Sequence, residues 1–265
     1  MQRMIDTARG EFSVDDSGQG AALVLLHGFP LDRTMWAQQI ARFSASHRVV
    51  AVDLRGFGQS PAREVTATMG DMAEDVAAVL DALQLGPVVL CGLSMGGYVA
   101  LAFQEGHRGL LRGLILCDTR AIADTPEAAK ARRVTADRVI KEGTSFLADT
   151  MLPKLFAEKT AIMQPEIVEG VRGVILAANP VGVAAAVRGM AERKDYSSDL
   201  ASIDIPTLVI VGEHDAISPV VEMTAIALRM PQAELRVIPN AGHMAPLENP
   251  AAVSGAVDAF LSKLS

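Results

Sequence analysis

A serine stands in the middle of the run Gly92-Leu93-Ser94-Met95-Gly96, between two segments of different periodicity. Residues 87–91 are almost all apolar, as in a buried strand, and apolar residues then recur at helical spacing from residue 99 to residue 103. A Gly-x-Ser-x-Gly sequence between a strand and a helix is typical of a nucleophile elbow, a sharp turn that presents the serine hydroxyl. We therefore predict that Ser94 is a catalytic nucleophile.

A serine hydroxyl is a weak nucleophile unless a base, usually a histidine, removes its proton. The predicted base is His243, which lies in the loop between the last predicted strand and the final helix. His214 follows the penultimate strand and is the alternative base. We expect His27 to be a structural, hydrogen-bonded residue, and His47 and His107 to lie exposed at helix ends.

A carboxylate should orient the histidine, and the active groups of open parallel sheets gather beyond the carboxyl ends of the strands. Asp215 follows the penultimate strand and gives the chain order serine, acid, histidine that accompanies this kind of turn. Asp118, at the end of the strand-like run 114–117, is a competing acid, and its other interpretation is a carboxylate that organises the loop. Glu213 is a weaker alternative.

Acyl transfer also needs two N–H donors that stabilise the developing oxyanion. The Met95 N–H lies at the predicted helix N-terminus, which favours an anion. The second donor should come from the bend His27-Gly28-Phe29-Pro30. Because proline has no N–H, Phe29 is the predicted donor. The alternative is that this bend is only a turn.

Strand-like apolar runs alternate with helix-like segments on both sides of a central stretch, which predicts a doubly wound, mostly parallel sheet of about eight strands. We expect an edge strand at 11–15 that leads into a hairpin turn at Asp16-Ser17-Gly18, and further strands at 21–26, 49–54, 87–91, 114–117, 207–211 and 234–238. Helices are predicted around Trp36, over 71–85, after Ser94, from Ser218-Pro219 to Met230 and after Asn249-Pro250.

Between about residues 122 and 199 the strand rhythm stops, and four segments are helix-like: 126–142, 145–157, 165–178 and 181–192. We predict one domain, 1–265, with a helical cap inserted at 122–199. The cap should set substrate size. The Arg132-Arg133 pair could bind a substrate carboxylate, although a solvated helix face is the preferred interpretation. Candidate apolar lining residues are Met151, Leu152, Phe156, Met163 and Met190.

Composition narrows the class of protein. Half of the 265 residues are hydrophobic and 21% are charged, which predicts a well-buried core. The net charge of −7, without a basic block, argues against nucleic-acid or anionic-membrane partners. No apolar stretch is long enough to be a signal peptide core or to span a bilayer. Cys91 and Cys117 lie in apolar runs and should be buried free thiols, which fits a reducing cytoplasm.

No Cys/His cluster has zinc-ligand spacing, and no glycine-rich phosphate loop is present in the sequence. We therefore expect neither a metal nor a cofactor. The expected partner is a small-molecule ester or lactone. The sequence leaves the oligomeric state open between monomer and dimer.

Five motifs follow one another along the chain: His27-Gly28-Phe29-Pro30, Asp53-Leu54-Arg55-Gly56-Phe57-Gly58, Gly92–Gly97, Gly212-Glu213-His214-Asp215 and Gly242-His243. In this order they resemble the α/β-hydrolase superfamily over essentially the whole chain. The resemblance implies the α/β-hydrolase fold. Within the superfamily the chain looks most like small esterases, cofactor-free haloperoxidases (perhydrolases) and 3-oxoadipate enol-lactonases. Haloalkane dehalogenases and epoxide hydrolases use an aspartate nucleophile, so Ser94 argues against both.

The function expected from the residues and the resemblance is hydrolysis of small carboxylic esters or lactones through an acyl-enzyme. Phe29-Pro30 is similar to the perhydrolase oxyanion loop, which implies promiscuous peracid formation from acetate and peroxide. Two alternatives use the same residues. One is a C–C bond hydrolase acting on β-diketones or ring-cleavage products, and the other is a ligand sensor that keeps the triad without turnover.

Overall fold

The structure, a computed structural model, describes residues 1–264, which form eight strands, eleven α-helices and three short 3-10 helices. The strands are β1 Gln2–Thr7, β2 Gly10–Ser17, β3 Ala22–Leu26, β4 Arg48–Val52, β5 Val88–Leu93, β6 Leu111–Cys117, β7 Thr207–Gly212 and β8 Ala233–Ile238. The α-helices are α1 Ala37–Phe43, α2 Met69–Ala82, α3 Met95–His107, α4 Pro126–Glu142, α5 Ser145–Leu155, α6 Glu158–Met163, α7 Pro165–Ala177, α8 Pro180–Ala191, α9 Val220–Arg229, α10 Ala245–Glu248 and α11 Pro250–Leu261. The 3-10 helices are Arg33–Trp36, Arg108–Leu110 and Leu200–Ser202.

All eight strands join one sheet in the order β1-β2-β4-β3-β5-β6-β7-β8. The first two pairings, β1 with β2 and β2 with β4, are antiparallel, and every later pairing is parallel. The mostly parallel sheet of about eight strands, with helices around it, is therefore confirmed. Because β5, β6, β7 and β8 are neighbours and run the same way, the loops at their carboxyl ends share one edge of the sheet.

The N-terminal part of the sheet differs from the prediction. Residues 2–7 form β1, which pairs with β2 from Gln2↔Asp15 to Thr7↔Gly10, so the hairpin turn lies between those strands and not at Asp16-Ser17-Gly18. The edge strand is β1, and β2 is covered on both sides. Only Ile5 of β1 is buried, so the segment lacks the alternation of apolar residues by which a strand is recognised. The short helix α6 was also not predicted.

The core is built on the central parallel strands, whose residues are buried on both faces. Every residue of β3, β5 and β7 is buried, which explains their uninterrupted apolar sequences. Cys91 and Cys117 lie on the adjacent strands β5 and β6, buried and free, with their Sγ atoms 3.9 Å apart. The predicted free thiols are confirmed.

Helices α4 to α8 lie between β6 and β7, and we call this segment the helical insertion. The backbone of its helix α8 packs directly against the backbone of the loop between β4 and α2. A Cβ added to Gly182 would lie 2.0 Å from the carbonyl oxygen of Gly56, and one added to Gly189 would lie 1.8 Å from that of Ala67. The Ala67 N–H also donates to the Ala185 carbonyl at 3.1 Å. Glycine is required here because the loop before α2 leaves no room for a side chain.

A buried carboxylate also joins the helical insertion to the body. Oε2 of Glu248 accepts hydrogen bonds from the Ala157 N–H at 2.8 Å and from the Thr160 hydroxyl at 2.7 Å. Its Oε1 accepts from the Gly242 N–H at 2.8 Å and the Met244 N–H at 3.2 Å. One side chain therefore holds together the junction of α5 and α6 and the loop that follows β8.

Among residues 1–264, no single helix is both long and apolar enough to cross a membrane. Helices α7 and α8 reach that length and apolar composition only when taken together, and the chain bends by 98° between them. Both belong to the helical insertion, where most of α8 is buried.

We expect Gly182→Ala to destabilise the protein by about 1–3 kcal/mol, because the new methyl group would collide with the Gly56 backbone. Urea unfolding measures the loss. The matched control is Gly173→Ala in α7, where an added Cβ meets nothing within 4 Å, so the helix should be stabilised by about 0.5–1 kcal/mol. Equal effects of the two substitutions would contradict the close approach of α8.

We expect Glu248→Ala to lower the free energy of unfolding by about 3 kcal/mol or more, because it leaves several buried donors without an acceptor. The matched control is Glu213→Ala. Glu213 is exposed and accepts a single backbone hydrogen bond from Asn240 at 3.0 Å, so its loss should cost less than about 1 kcal/mol. Thermal unfolding of the two variants beside the unsubstituted protein makes the comparison. A loss at Glu248 no larger than that at Glu213 would contradict the proposed link.

Candidate active site

Ser94 occupies the turn between β5 and α3 with φ 52° and ψ −111°, a conformation that residues with a side chain rarely adopt. The glycines on each side are required by close packing. A Cβ on Gly92 would lie 2.1 Å from the Gly96 carbonyl oxygen, and one on Gly96 would lie 2.4 Å from that of Leu26. The sharp turn predicted from the sequence is present.

Hydrogen bonds from neighbouring elements hold the strained backbone of Ser94. Its N–H donates to the Cys117 carbonyl at 2.9 Å, and its carbonyl accepts from the N–H groups of Gly97 at 2.9 Å and Tyr98 at 3.2 Å. The Thr119 hydroxyl donates to the same carbonyl at 2.7 Å. Strain of this kind persists only where the surroundings determine the backbone, and β6 and α3 both do so.

The predicted acid and base are adjacent. His243 Nδ1 lies 2.9 Å from Oδ2 of Asp215, and both side chains are buried. Oδ1 of Asp215 accepts from the N–H groups of Ile217 at 2.7 Å and Ser218 at 2.9 Å. Burial by itself would raise the pKa of Asp215, but the hydrogen bond and charge of His243, with the two N–H donors, lower it below its ordinary value. The carboxylate is therefore ionised at neutral pH.

The hydrogen bond to Asp215 determines which nitrogen of His243 can act as a base. An ionised carboxylate only accepts, so Nδ1 carries the proton and Nε2 keeps its lone pair. Within residues 1–264, Ser94 Oγ and His243 Nε2 make no hydrogen bond to each other. In unliganded enzymes, catalytic hydrogen bonds are often long and shorten only when the substrate is bound. Ser94 itself is half-buried.

The bend after β3 lies beside the serine. A Cβ added to Gly28 would be 3.5 Å from the Ser94 Cβ. The next residue in the chain, Phe29, therefore lies close to the serine turn. Neither the Phe29 N–H nor the Met95 N–H donates a hydrogen bond within the part of the chain that the structure describes. Two free donors near Ser94 are what an oxyanion site needs.

His27 fixes this bend and has the structural role that its position predicts. The ring is completely buried; Nδ1 donates to the Gly28 carbonyl at 3.0 Å and Nε2 accepts the Leu54 N–H at 3.0 Å. Burial lowers the pKa of His27, so the ring is neutral and keeps this pair of bonds. Phe57 packs edge-on against it, with the ring centroids 5.2 Å apart.

The other candidate bases are not at the site. His214 is exposed, and its Nε2 lies 3.7 Å from a carboxylate oxygen of Glu213. His107 ends α3 and is bonded to Glu74 at 2.8 Å, and His47 lies near a helix end. Both are half-buried and not exposed as predicted, because each packs its ring against a neighbouring phenylalanine.

Asp118, the competing acid, lies at the end of β6 but makes no hydrogen bond to His243. It is fully buried, and its Oδ1 accepts the Gly212 N–H at 2.7 Å. Burial and the nearby negative charge of Asp215 raise the pKa of Asp118 well above its ordinary value. The carboxyl that contacts the histidine is that of Asp215.

The candidate lining residues of the helical insertion differ in their burial. Met163 is 69% exposed on the short helix α6, so it lies at the surface and not in a pocket. Arg132 is paired with Asp124, and Arg133 is exposed on α4, as expected of a solvated helix face. The remaining predicted lining residues, Met151, Leu152, Phe156 and Met190, are buried or half-buried.

Sequence reasoning missed Glu248, whose carboxylate bonds the residues on both sides of His243. The only signal was a glutamate shortly after the histidine in an otherwise apolar segment.

For metals, residues 1–264 contain no group of three or more His, Cys, Asp or Glu side chains that could hold an ion.

Known proteins resemble this chain in sequence and in fold. A thermophilic esterase from Thermogutta terrifontis, solved with malate bound, is 48% identical with a TM-score of 0.96, covering 100% of this chain and 99% of that chain. The AB hydrolase superfamily protein YisY of Bacillus subtilis is 32% identical, over 93% of this chain and 94% of that protein. The 3-oxoadipate enol-lactonase 2 of Acinetobacter baylyi is 29% identical, over 92% and 90% respectively. Residues 23–256 match the Alpha/beta hydrolase family, and the chain belongs to that family of enzymes.

Proposed function

We propose that the protein is a serine hydrolase that cleaves small carboxylic esters or lactones through an acyl-enzyme. The observation that carries the proposal is the buried 2.9 Å hydrogen bond between His243 and Asp215, at the sheet edge where Ser94 stands in its strained turn. Similarity to an esterase and an enol-lactonase supports the substrate class. Metal and cofactor play no part in the proposed reaction.

In the first half of the proposed reaction, Ser94 Oγ attacks the carbonyl carbon of the substrate while Nε2 of His243 takes the hydroxyl proton. The histidine then carries a positive charge, which the Asp215 carboxylate stabilises at Nδ1. Collapse of the tetrahedral intermediate breaks the bond to the leaving oxygen. His243 gives its proton to that oxygen, and the alcohol departs.

The N–H groups of Phe29 and Met95 are proposed to hold the oxyanion. Their advantage is that both are already free, so no hydrogen bond has to be broken when the charge develops. The Met95 N–H is also at the N-terminus of α3, where the helix dipole favours an anion. Removing one such donor typically costs about 10²–10³ in kcat.

Water completes the proposed cycle. His243 takes a proton from a water molecule, the hydroxide attacks the acyl carbon, and the bond to Ser94 Oγ breaks with return of the proton to the serine. For a lactone, the alcohol stays attached to the acyl group, so both ends of the opened ring leave together. The same residues therefore serve both substrate classes.

The helical insertion is proposed to select small, uncharged substrates. The Arg132 guanidinium is paired with Asp124, and Arg133 is exposed on α4, so neither is proposed to bind a substrate carboxylate. The buried side chains on α5 and α8 are instead apolar. A neutral ester with a short acyl chain fits these properties better than a dicarboxylate lactone.

We expect Ser94→Ala to lower kcat for p-nitrophenyl acetate or butyrate by about 10⁶, because no acyl-enzyme can form. Asp215→Asn should lower it by about 10⁴ through loss of the correct histidine tautomer. The assay is release of p-nitrophenol across a series of acyl lengths.

The control is Ser198→Ala, at an exposed serine that bonds only its neighbour Asp199 at 3.0 Å. It should leave kcat within about twofold of the unsubstituted protein. Ester turnover that survives Ser94→Ala would contradict the proposal. A folded protein with no turnover on any ester would also contradict it and would favour a C–C hydrolase or a ligand sensor.

A further inference from the structure

One buried acid next to the candidate site has no role in the reaction just proposed. Asp118 has no exposed surface and follows β6, between the strand that carries Ser94 and the strand that leads to Asp215. Its backbone is in the left-handed region, with φ 44°, and its N–H donates to the Ile210 carbonyl of β7 at 2.9 Å. The neighbouring strand β7 therefore helps to determine where the carboxyl lies.

The two oxygens of Asp118 are in different environments. Oδ1 accepts the Gly212 N–H at 2.7 Å, whereas Oδ2 is buried and has no donor among residues 1–264. Gly212 links the two acids, because its N–H donates to Asp118 Oδ1 and its carbonyl accepts the Asp215 N–H at 3.1 Å. The Asp215 carboxyl is near enough to raise the pKa of Asp118. Two ionised carboxylates would both be acceptors and would repel each other. A single proton between them satisfies the buried oxygen and removes the repulsion.

We propose that Asp118 is a positioning residue whose protonated carboxyl donates a hydrogen bond to the ionised Asp215. The inference rests on the proposed function, in which Asp215 orients His243. Asp118 does not touch the substrate or the histidine. It acts on the carboxylate that does.

The hydrogen bonds of Asp215 support this assignment. The Asp215 carboxylate already accepts from His243, Ile217 and Ser218. A carboxylate has about four acceptor sites, and a bond from Asp118 would fill the fourth. With donors on all sides, the carboxylate cannot rotate without losing a bond, so its direction toward Nδ1 is held.

The charges around Asp118 agree with the neutral form. The titratable groups that raise the pKa of Asp118 are the Asp215 carboxyl and the Cys117 thiol, and neither is a cation. Burial and the charge of Asp215 raise the pKa of Asp118. The pKa of Asp215 is lowered instead, because His243 and two backbone N–H groups donate hydrogen bonds to its carboxylate. Neighbouring acids with pKa values shifted apart share their roles, one as donor and one as anion.

The protonation of Asp118 has a consequence for stability that needs no substrate. Its folded-state pKa is above the unfolded value of about 3.9, so the folded protein binds a proton that the unfolded chain releases. The resulting loss of stability grows as pH rises above about 4. Asp118→Asn removes this pH-dependent loss and keeps an N–H donor for Asp215.

The first arm of the test is urea unfolding of the unsubstituted protein and Asp118→Asn at about pH 5 and about pH 7.5. We expect the urea midpoint of the variant, relative to the unsubstituted protein, to be higher at the upper pH than at the lower. A difference that is the same at both pH values would show that Asp118 is ionised in the folded state, and would overturn the proposal.

The second arm measures kcat/KM for the p-nitrophenyl ester. Asp118→Ala should lower kcat/KM about tenfold or more, because Asp215 loses a charge-assisted hydrogen bond. Asp118→Asn should recover most of that loss, since its amide group can donate to Asp215 and accept from the Gly212 N–H. An asparagine variant as impaired as the alanine variant would mean that a negative charge is needed, which contradicts the proposal.

The two arms separate the failure of this inference from the failure of the proposed function. If the unsubstituted protein turns over no ester, the proposed function fails, while the urea comparison still tests the proton on Asp118. If ester turnover depends on Ser94 but the midpoint difference does not grow with pH, the proposed function stands and the inference about Asp118 fails.

Discussion

The buried hydrogen bond between His243 and Asp215 is the interaction on which the candidate site depends. An isolated carboxylate at this depth would be strongly destabilised, and its pKa would rise until it was neutral. The donors from His243 and from the turn after β7 reverse that tendency, so the charge remains. A carboxylate charge beside Nδ1 keeps the proton on that nitrogen and leaves the lone pair of Nε2 available for its proposed role as a base.

Three loops at this edge of the sheet are each held by polar groups that are not themselves reactive. His27 fixes the bend after β3, and Glu248 fixes the loop after β8 together with the helical insertion. Thr119 fixes the backbone of the serine turn. The loops at a sheet edge are otherwise the most mobile parts of an α/β protein. The buried hydrogen bonds give the site its rigidity.

The sequence predicted the central sheet well, because strands buried on both faces have uninterrupted apolar runs and helices have clear caps. The helix predicted over 126–142 and the helix predicted after Asn249-Pro250 both begin where expected, with Thr125 and Asn249 as their N-caps. Strand β1 could not be recognised, since an exposed edge strand has no apolar pattern. The hydrogen bond from the Gly212 N–H to Asp118, which joins residues distant in sequence, could not be predicted either, because it arises only from the adjacency of β6 and β7.

The central claim, that Ser94 forms a covalent acyl-type intermediate, is tested most directly by covalent labelling. The protein is incubated with a fluorophosphonate ester, which reacts with activated serines, and its intact mass and peptides are then measured. The account predicts one adduct for each chain, on the peptide that contains Ser94, and no adduct after denaturation. Absence of an adduct on the folded protein, or an adduct at another residue, would contradict it.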